Sequence, residues 1–368
     1  IKSTILRYKI QLNNDKIENE WWYKTWNWYR LLAVDGSKLR LPDTQQIKEY
    51  YGEIKVKNQY WEQWTYTWWL LSVLYDVENN LAIDSILEKW NYSERALTIR
   101  HIQNLNKDKS IENWNLTLFD RWYFSKYLIW LLKSYKIDFV FRLSTTACKE
   151  CQELFSKECK INSKVVSLEI EKWKIDYSDK YWIQIDKPMP KIIKVRFVRV
   201  ILDNWEIEVL ASSLLDETKY SNSIFKDLYF KRWRIEVYYD VLKNRLWLEN
   251  FSGKSVESIK QDLYSSIFLS NFESIATSSS NAELELKSQT KNLKHEQQVN
   301  KQVSFNIIKN KVMDLFLSDK STKKTMEWLN EVFKISPTPK RKWRKFSRKR
   351  NNPQQVVNYH KRKKKQNF

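Results

Sequence analysis

The sequence predicts an α/β protein built on a mixed sheet, and three observations carry that reading. Short apolar or alternating runs bounded by turn residues recur from residue 31 onward. A helical period separates the third run from the fourth, and another separates the fourth from the fifth, which is the order of an α/β layer. A strand-rich stretch with little helix then follows before the helical period returns. With 42% hydrophobic and 30% charged residues over 368 positions, the balance is that of a globular chain long enough for one large or two ordinary domains.

The elements follow in order. Residues 1–29 are polar and aromatic without a clean period. Leu31–Val34, Leu70–Tyr75 and Leu81–Leu87 read as three strands, Glu94–Leu105 as a helix, Asn115–Phe119 as a strand, Ser125–Tyr135 as a helix and Phe139–Leu143 as a fifth strand. Val165–Ile170, Trp182–Ile185, Ile192–Leu202 and Glu206–Leu210 read as strands of an all-β insertion. From Ser223 to Leu246 the period is helical. Residues 276–304, opening Ala276-Thr277-Ser278-Ser279-Ser280-Asn281, read as a polar linker, followed by a short helix near Phe305–Leu317.

Charge and composition exclude whole classes. Net charge is +21, yet 13 Lys/Arg and no acid lie between Lys340 and Phe368, which leaves +8 (21 − 13) on the rest. Ser336-Pro337-Thr338-Pro339 stops any helix ahead of that basic tail, so the tail is expected to be extended or disordered. It reads either as a phosphate-neutralising arm or as a solvated tail. No apolar run approaches the roughly 18–20 residues of a membrane span; the best, Tyr127–Leu132, is far too short. Three unmatched cysteines and no signal-peptide pattern point to a reducing cytoplasm. Cys148-x2-Cys151-x7-Cys159 lacks a nearby fourth ligand for zinc. Three scattered histidines and no Gly-rich phosphate loop argue against a His-based hydrolase and against ATP use. The chain opens on Ile and reads as a fragment.

Chemistry concentrates on the Ser223–Leu246 helix. At about 100° per residue, Tyr229, Arg232, Glu236 and Lys243 fall within a stripe of roughly 60°. A hydroxyl, two cations and a carboxylate therefore share one face, beside an apolar stripe of Trp233, Val237 and Val241 expected to pack on the sheet. The same pattern also suits a merely solvated charged face, and Asp240 is a second possible carboxylate there. Asp35 and Asp120 stand at strand ends, where a lone Asp is usually a turn or cap residue. Two such carboxylates on adjacent strands plus one from a helix can hold two hard divalent ions about 3.5–4 Å apart and clamp a phosphoryl transfer.

These segments resemble a known family. Leu31-Leu32-Ala33-Val34-Asp35-Gly36-Ser37-Lys38-Leu39-Arg40-Leu41-Pro42 is similar to the first-aspartate segment of insertion-sequence DDE transposases. Leu118-Phe119-Asp120-Arg121-Trp122-Tyr123 resembles their second-aspartate segment, normally Asp-Arg-Gly-Tyr. Tyr229-x2-Arg232-x3-Glu236-x6-Lys243 matches the YREK signature of insertion-sequence family four.

The resemblance implies an RNase H-like core over residues 30–145 and 219–275, interrupted by a mainly β insertion at 146–218. It leaves 1–29 as the remnant of a truncated N-terminal region, 276–335 as a linker and C-terminal helical region, and 336–368 as the basic tail. It implies Asp35, Asp120 and Glu236 as catalytic residues binding two Mg²⁺, for which Mn²⁺ can substitute, and Tyr229, Arg232, Lys243, Lys38 and Arg121 as DNA contacts. The implied activity is cleavage and strand transfer on transposon-end and target DNA by a homodimer in a synaptic complex, in the bacterial cytoplasm at the nucleoid. An inactive remnant that only binds DNA and a general nuclease that cuts without joining are the competing readings. Because about 30 residues precede the Asp35 strand, sequence-specific recognition of transposon ends is not expected of this chain.

Two composition entries are abnormal: three Gly, where about 7% of an average chain would give roughly 26, and 19 Trp. Several Trp stand where glycine belongs. Trp122 follows the second Asp-Arg, where it would crowd a metal site, and Trp205 sits in the Asp203-Asn204-Trp205 turn. Asn27-Trp28 and Asn113-Trp114 precede the strands of Asp35 and Asp120, Trp247 ends the long helix, and Trp343 lies in the basic tail. The expectation is that many of these are glycines encoded by UGA and translated with the wrong code, Trp233 being an exception. Strain or exposed indoles at Trp122, Trp205 and Trp247 should then appear.

Overall fold

The computed structural model describes residues 24–57, 63–107, 114–170, 190–317 and 322–340. The strand reading at Trp182–Ile185, Trp343, the first 23 residues and the tail beyond Lys340 lie outside these residues.

The first strand, β1 (Arg30–Arg40), anchors the sheet because Leu31–Val34 expose 1% of their surface or less, the sign of a strand covered on both faces. A short helix α1 (Gln45–Tyr51) and a hairpin of β2 (Ile54–Lys57) with β3 (Gln63–Tyr66) follow. Next come β4 (Trp68–Asp76), β5 (Leu81–Lys89), α2 (Glu94–Lys107), β6 (Asn115–Phe119), α3 (Lys126–Ser134) and β7 (Asp138–Arg142). These core elements match the sequence expectation within a few residues, except that β1 runs six residues past Val34 to Arg40; α1 and the β2–β3 hairpin carry no comparable apolar period.

The sheet order is β5-β4-β1-β6-β7, antiparallel on the β4 side and parallel from β1 through β6 to β7. Five strands in this order, with one antiparallel meander and two parallel crossovers, are the RNase H-like arrangement. The strand-rich stretch continues the same sheet: β8 (Ser163–Glu169), β9 (Ile192–Ile201) and β10 (Ile207–Ser212) add antiparallel to β7 in the order β7-β10-β9-β8, giving eight strands. The insertion thus shares the core rather than building its own. Phe197, Val209 and Ala211 belong to the same buried cluster as Phe119, Phe139 and Leu128.

Helices α2 and α3 cover one face of the sheet through Ala96, Ile99, Leu128 and Leu131. A buried network fixes α2: His101 Nδ1 lies 2.8 Å from Asp84 Oδ2 and its Nε2 3.0 Å from Ser72 Oγ, which ties the helix to β4 and β5. The start of α3 is fixed by Ser125, whose Oγ accepts from the Leu128 N–H at 3.1 Å.

The long helix of the sequence reading is segmented. It runs as α4 (Ile224–Phe230), a 3₁₀ turn (Lys231–Trp233), α5 (Arg234–Asp240) and a π turn (Val241–Arg245). This corrects the expected apolar stripe. Of its members Val241 is buried and Trp233 half-buried, but Val237 is 58% exposed, while Ile235, Tyr238, Tyr239 and Leu242 are buried. A 3₁₀ turn advances 120° per residue and a π turn less than 100°, so a constant phase misplaces residues along this segment.

The chain divides into two compact units, the first reaching Leu246 with Lys254–Glu257, the second formed by Trp247–Gly253 and the chain from Ser258 on. The second is helical: α6 (Val256–Ala276), α7 (Ser278–Thr290), α8 (Lys301–Leu317) and α9 (Thr322–Ile335). Its core gathers Ala276, Leu284, Val299, Ile308, Leu329 and Phe333. Helix α7 occupies the stretch read as a linker. Its buried face is Ser280, Leu284 and Ser288, and the Ser280 hydroxyl bonds to Asn330 on α9, so tertiary packing overrides a composition that looks like loop. Among the described residues, no helix is long and apolar enough to cross a membrane.

Three of the anomalous Trp residues take the left-handed backbone that favours glycine, while Trp114 and Trp122 do not. Trp28 has φ +70° beside Asn27 at +43°, and the pair caps a tight turn closed by Trp26–Tyr29 backbone bonds of 2.9 and 2.8 Å. Trp205 has φ +63° and is 82% exposed; Trp247 has φ +55° and is 44% exposed. Trp122 is 69% exposed, so its ring points to solvent with Arg121 over it and does not crowd the second aspartate.

Candidate active site

β1 and β6 are parallel neighbours whose register pairs Arg30 with Asn115 and Ala33 with Leu118. Carried two residues past the last pair, the same offset of 85 residues would bring Asp35 opposite Asp120. Asp120 follows the last residue of β6, where the chain turns into the 3₁₀ segment Arg121–Tyr123, whereas Asp35 lies inside β1 and not at a strand end as expected, because the ladder with β4 carries the strand on to Arg40.

The segmented helix brings cations to them. Arg232 is 4% exposed; its Nη2 donates to Glu236 Oε1 at 2.8 Å. Burial works against the guanidinium's charge, but Tyr229, Asp120, Asp35 and Glu236 outweigh it and hold Arg232 above its ordinary value. Arg232 thus bonds to Glu236 and feels the charges of Asp35 and Asp120, the other two carboxylates named from the sequence, and its buried Nε has no hydrogen-bond partner. Tyr229 is buried, with its hydroxyl donating to the Phe119 carbonyl, one residue before Asp120, at 3.2 Å. Burial pushes the hydroxyl's pKa well above that of a free phenol and keeps it protonated. Lys243 Nζ donates to the Lys38 carbonyl at 2.8 Å, which places it beside β1 beyond Asp35. Lys38 and Arg121 are exposed, near Trp90 and Trp122 respectively. Asp240 is exposed and bonded to Asn244, leaving Glu236 as the carboxylate that meets Arg232.

Burial lifts the Asp35 carboxyl to about 7, against the opposing pull of Arg232 and the Gly36 N–H; Glu94 and Glu236 add to the rise. Two anchors set the helix in place. The Tyr239 hydroxyl donates to the carbonyls of Asp35 and Leu71 at 2.7 and 3.1 Å. Glu78, in the β4–β5 turn, pairs with Lys231 and with Arg234 at 2.9 Å, so it braces the residues on either side of Arg232. Burial opposes its ionisation, yet Arg234 and Lys231 prevail and hold Glu78 below the usual carboxylate range.

Sequence reasoning missed Glu78, Glu94, and the Arg142–Glu208 ion pair (2.9 Å) whose Glu208 feels both Arg232 and Asp120. Each carried only a bland signal. Glu94 reads as a dipole-favoured acid opening a helix, and the others as turn or strand charges. An open cleft of about 460 Å³ is lined by Ser93, Glu94, Arg95, Trp122 and Tyr123, the last two following Asp120 in the chain.

Among the described residues, no three His, Cys, Asp or Glu side chains already enclose a metal-sized space, and Glu236 is tied to Arg232. The donors nonetheless suit a hard divalent cation. They are carboxylate oxygens, and the lift on Asp35 marks a desolvated carboxylate short of positive charge.

An RNase H-like sheet with acidic residues inside β1, just past the end of β6 and on the helix packed over them is an architecture suited to phosphoryl transfer. The model of the transposase DDE domain family matches residues 26–272, two-thirds of the chain, and the chain belongs to that family. Over 122 residues, 30% of this chain, it is 26% identical to the putative transposase InsZ of Escherichia coli K12, of which it spans 38%. The piggyBac transposase in a synaptic complex with hairpin DNA is a solved structure similar over 82% of this chain and 57% of that one, at 10% identity and a TM-score of 0.41. Membership of the family implies use of a divalent metal.

Proposed function

We propose that this protein is the transposase of an insertion sequence of the YREK-signature group, cutting and joining DNA with Asp35, Asp120 and Glu236. The observation that carries the reading is the meeting of carboxylates from β1, β6 and α5 around one buried Arg232. When bound, Mg²⁺ ions at such a centre supply Lewis-acid activation of water or of a 3′-hydroxyl and offset charge on the phosphate.

The remaining work falls to side chains. Asp35 inside β1 and Asp120 just past β6 present oxygen donors on a rigid sheet. Arg232, with its Nε unpartnered and Nη2 on Glu236, is placed to exchange carboxylate for phosphate oxygen as DNA enters, which frees Glu236 for the cation. Tyr229 holds the Phe119 carbonyl and so the approach to Asp120. Lys243, Lys38 and Arg121, with the basic tail, contact phosphates and position DNA without reading sequence. DNA is thus the partner and the nucleoid the place of action, with two copies joining transposon ends in one synaptic complex.

The test is a supercoiled plasmid carrying the element's ends, incubated with Mg²⁺ or Mn²⁺. Nicking and joining should vanish in Asp35→Asn, Asp120→Asn and Glu236→Gln. Activity persisting in all three would reject the triad, and salt-sensitive binding without cleavage by the wild type would identify a DNA-binding remnant.

A further inference from the structure

Side chains alternate along β1, so Asp35 and Gly36 face opposite sides of the sheet. Leu32 and Val34 lie in the cluster that α2 covers, and Gly36 continues that row. Where a side chain would stand on Gly36 lies Glu94, the first residue of α2: a methyl group built there would sit 2.8 Å from Glu94 Cδ and 2.9 Å from Oε1. The other carboxylate oxygen, Oε2, accepts from the Tyr123 hydroxyl at 3.0 Å, and Tyr123 lies three residues after Asp120. Glu94 is therefore aimed from two directions, by the bare Cα that follows the first aspartate and by the phenol that follows the second. Its helix is held by the buried His101–Asp84 and His101–Ser72 contacts. Among the described residues no Lys or Arg forms an ion pair with it; the neighbouring Arg95 donates instead to the Trp122 carbonyl at 2.7 Å. Glu94 is thus a half-buried carboxylate at the edge of the open cleft, with one oxygen held by Tyr123 and the other set against Gly36, where its charge can act on a cation bound at Asp35.

We propose that Glu94 is a positioning residue of the active centre, a fourth carboxylate that acts across Gly36 to draw the divalent cation onto Asp35. This rests on the metal-dependent reading above. The test is Mn²⁺ binding to the full chain without DNA, followed by calorimetry and by the loss of the free-ion paramagnetic resonance signal. Glu94→Gln should weaken Mn²⁺ affinity roughly tenfold, Glu94→Asp should restore part of it, and metal-free DNA binding should not change. Gly36→Ala, which displaces the carboxylate without removing its charge, should give the same loss if Glu94→Gln fails to fold. Wild-type Mn²⁺ affinity in both Glu94→Gln and Gly36→Ala overturns the proposal while Asp35→Asn still weakens binding. If Asp35→Asn is also without effect, the metal triad itself falls.

A second inference rests on backbone geometry. Asn27-Trp28, both at positive φ between paired Trp26 and Tyr29, form the tight turn for which Asn-Gly is the preferred sequence. Trp205 takes the left-handed position of a three-residue hairpin loop closed by Leu202 N–H to Glu206 O and Trp205 N–H to Leu202 O, both at 2.9 Å, a glycine position. Trp247 takes the left-handed position just past a helix end. All three indoles are exposed, whereas Trp69 and Trp130 are buried in the core at 0% and 3% exposure.

We infer that the native residue at 28, 205 and 247 is glycine, written as UGA in the gene, while Trp69, Trp130 and Trp233 are true tryptophans. Codon sequencing and peptide mass spectrometry of the protein made by its own cell decide it. UGA with glycine-mass peptides at the first three positions and UGG at the others is expected. UGG at 28, 205 and 247 overturns it.

Discussion

Asp35 couples the site to pH through its burial. Its folded value of about 7 lies above the 3.8 of a free carboxyl, so the folded chain binds the extra proton. The cation-free protein should therefore lose stability as pH rises from about 4 to about 7 and level off above. Asp35→Asn removes this titration. It should be about 2 kcal/mol more stable than wild type at pH 8, a value reduced for solvent screening of a half-buried group, and no different at pH 4, by urea denaturation. The proton also competes with the cation, so Mn²⁺ affinity should fall as pH drops below 7 in wild type. The left-handed tryptophans act on the backbone instead. Trp205→Gly should stabilise the chain by about 1 kcal/mol, read as a higher melting temperature, because a side chain at positive φ costs roughly 1–2 kcal/mol. Trp69→Gly, at a fully buried position, should unfold it.

At the scale of elements, the Arg232–Glu236 segment is held by what it touches more than by its own helicity. Glu78 anchors it from the β4–β5 turn through Lys231 and Arg234. Glu78→Ala should cost about 1–3 kcal/mol and reduce DNA cleavage far more than DNA binding, because the cations it fixes flank Arg232. Equal losses in both would show that Glu78 only supports the fold. Ser125→Ala, which removes the cap of α3, should cost about 1 kcal/mol in thermal denaturation and leave cleavage intact. The core strands and α2 were legible because apolar periods of 2 and 3.6 report burial directly. The turn from α to 3₁₀ to π in residues 224–245 was not, since periodicity assumes one helix throughout. Helix α7 was hidden for another reason. Ser280 and Ser288 are buried polar side chains whose partners lie on α9 and within α7 itself, contacts that composition cannot reveal.

At the scale of the molecule, charge and topology divide the labour. A chain ending at Pro339 lacks 13 Lys/Arg, and its DNA affinity should depend less steeply on salt, read as a smaller slope of log affinity against log salt. An unchanged slope would make the tail a bystander. The sequence by itself determined the succession of core strands and helices, the charge, the misplaced tryptophans, and the motifs around Asp35, Asp120 and Glu236, because each is a local pattern of residue type and spacing. Only the tertiary structure decided that the strand of Asp35 pairs with the strand leading to Asp120, that buried Arg232 bonds to Glu236 and feels both aspartates, and that Glu94 reaches the centre across Gly36. Those are meetings of residues up to 200 positions apart, and such meetings follow from strand register and packing, which no local pattern encodes.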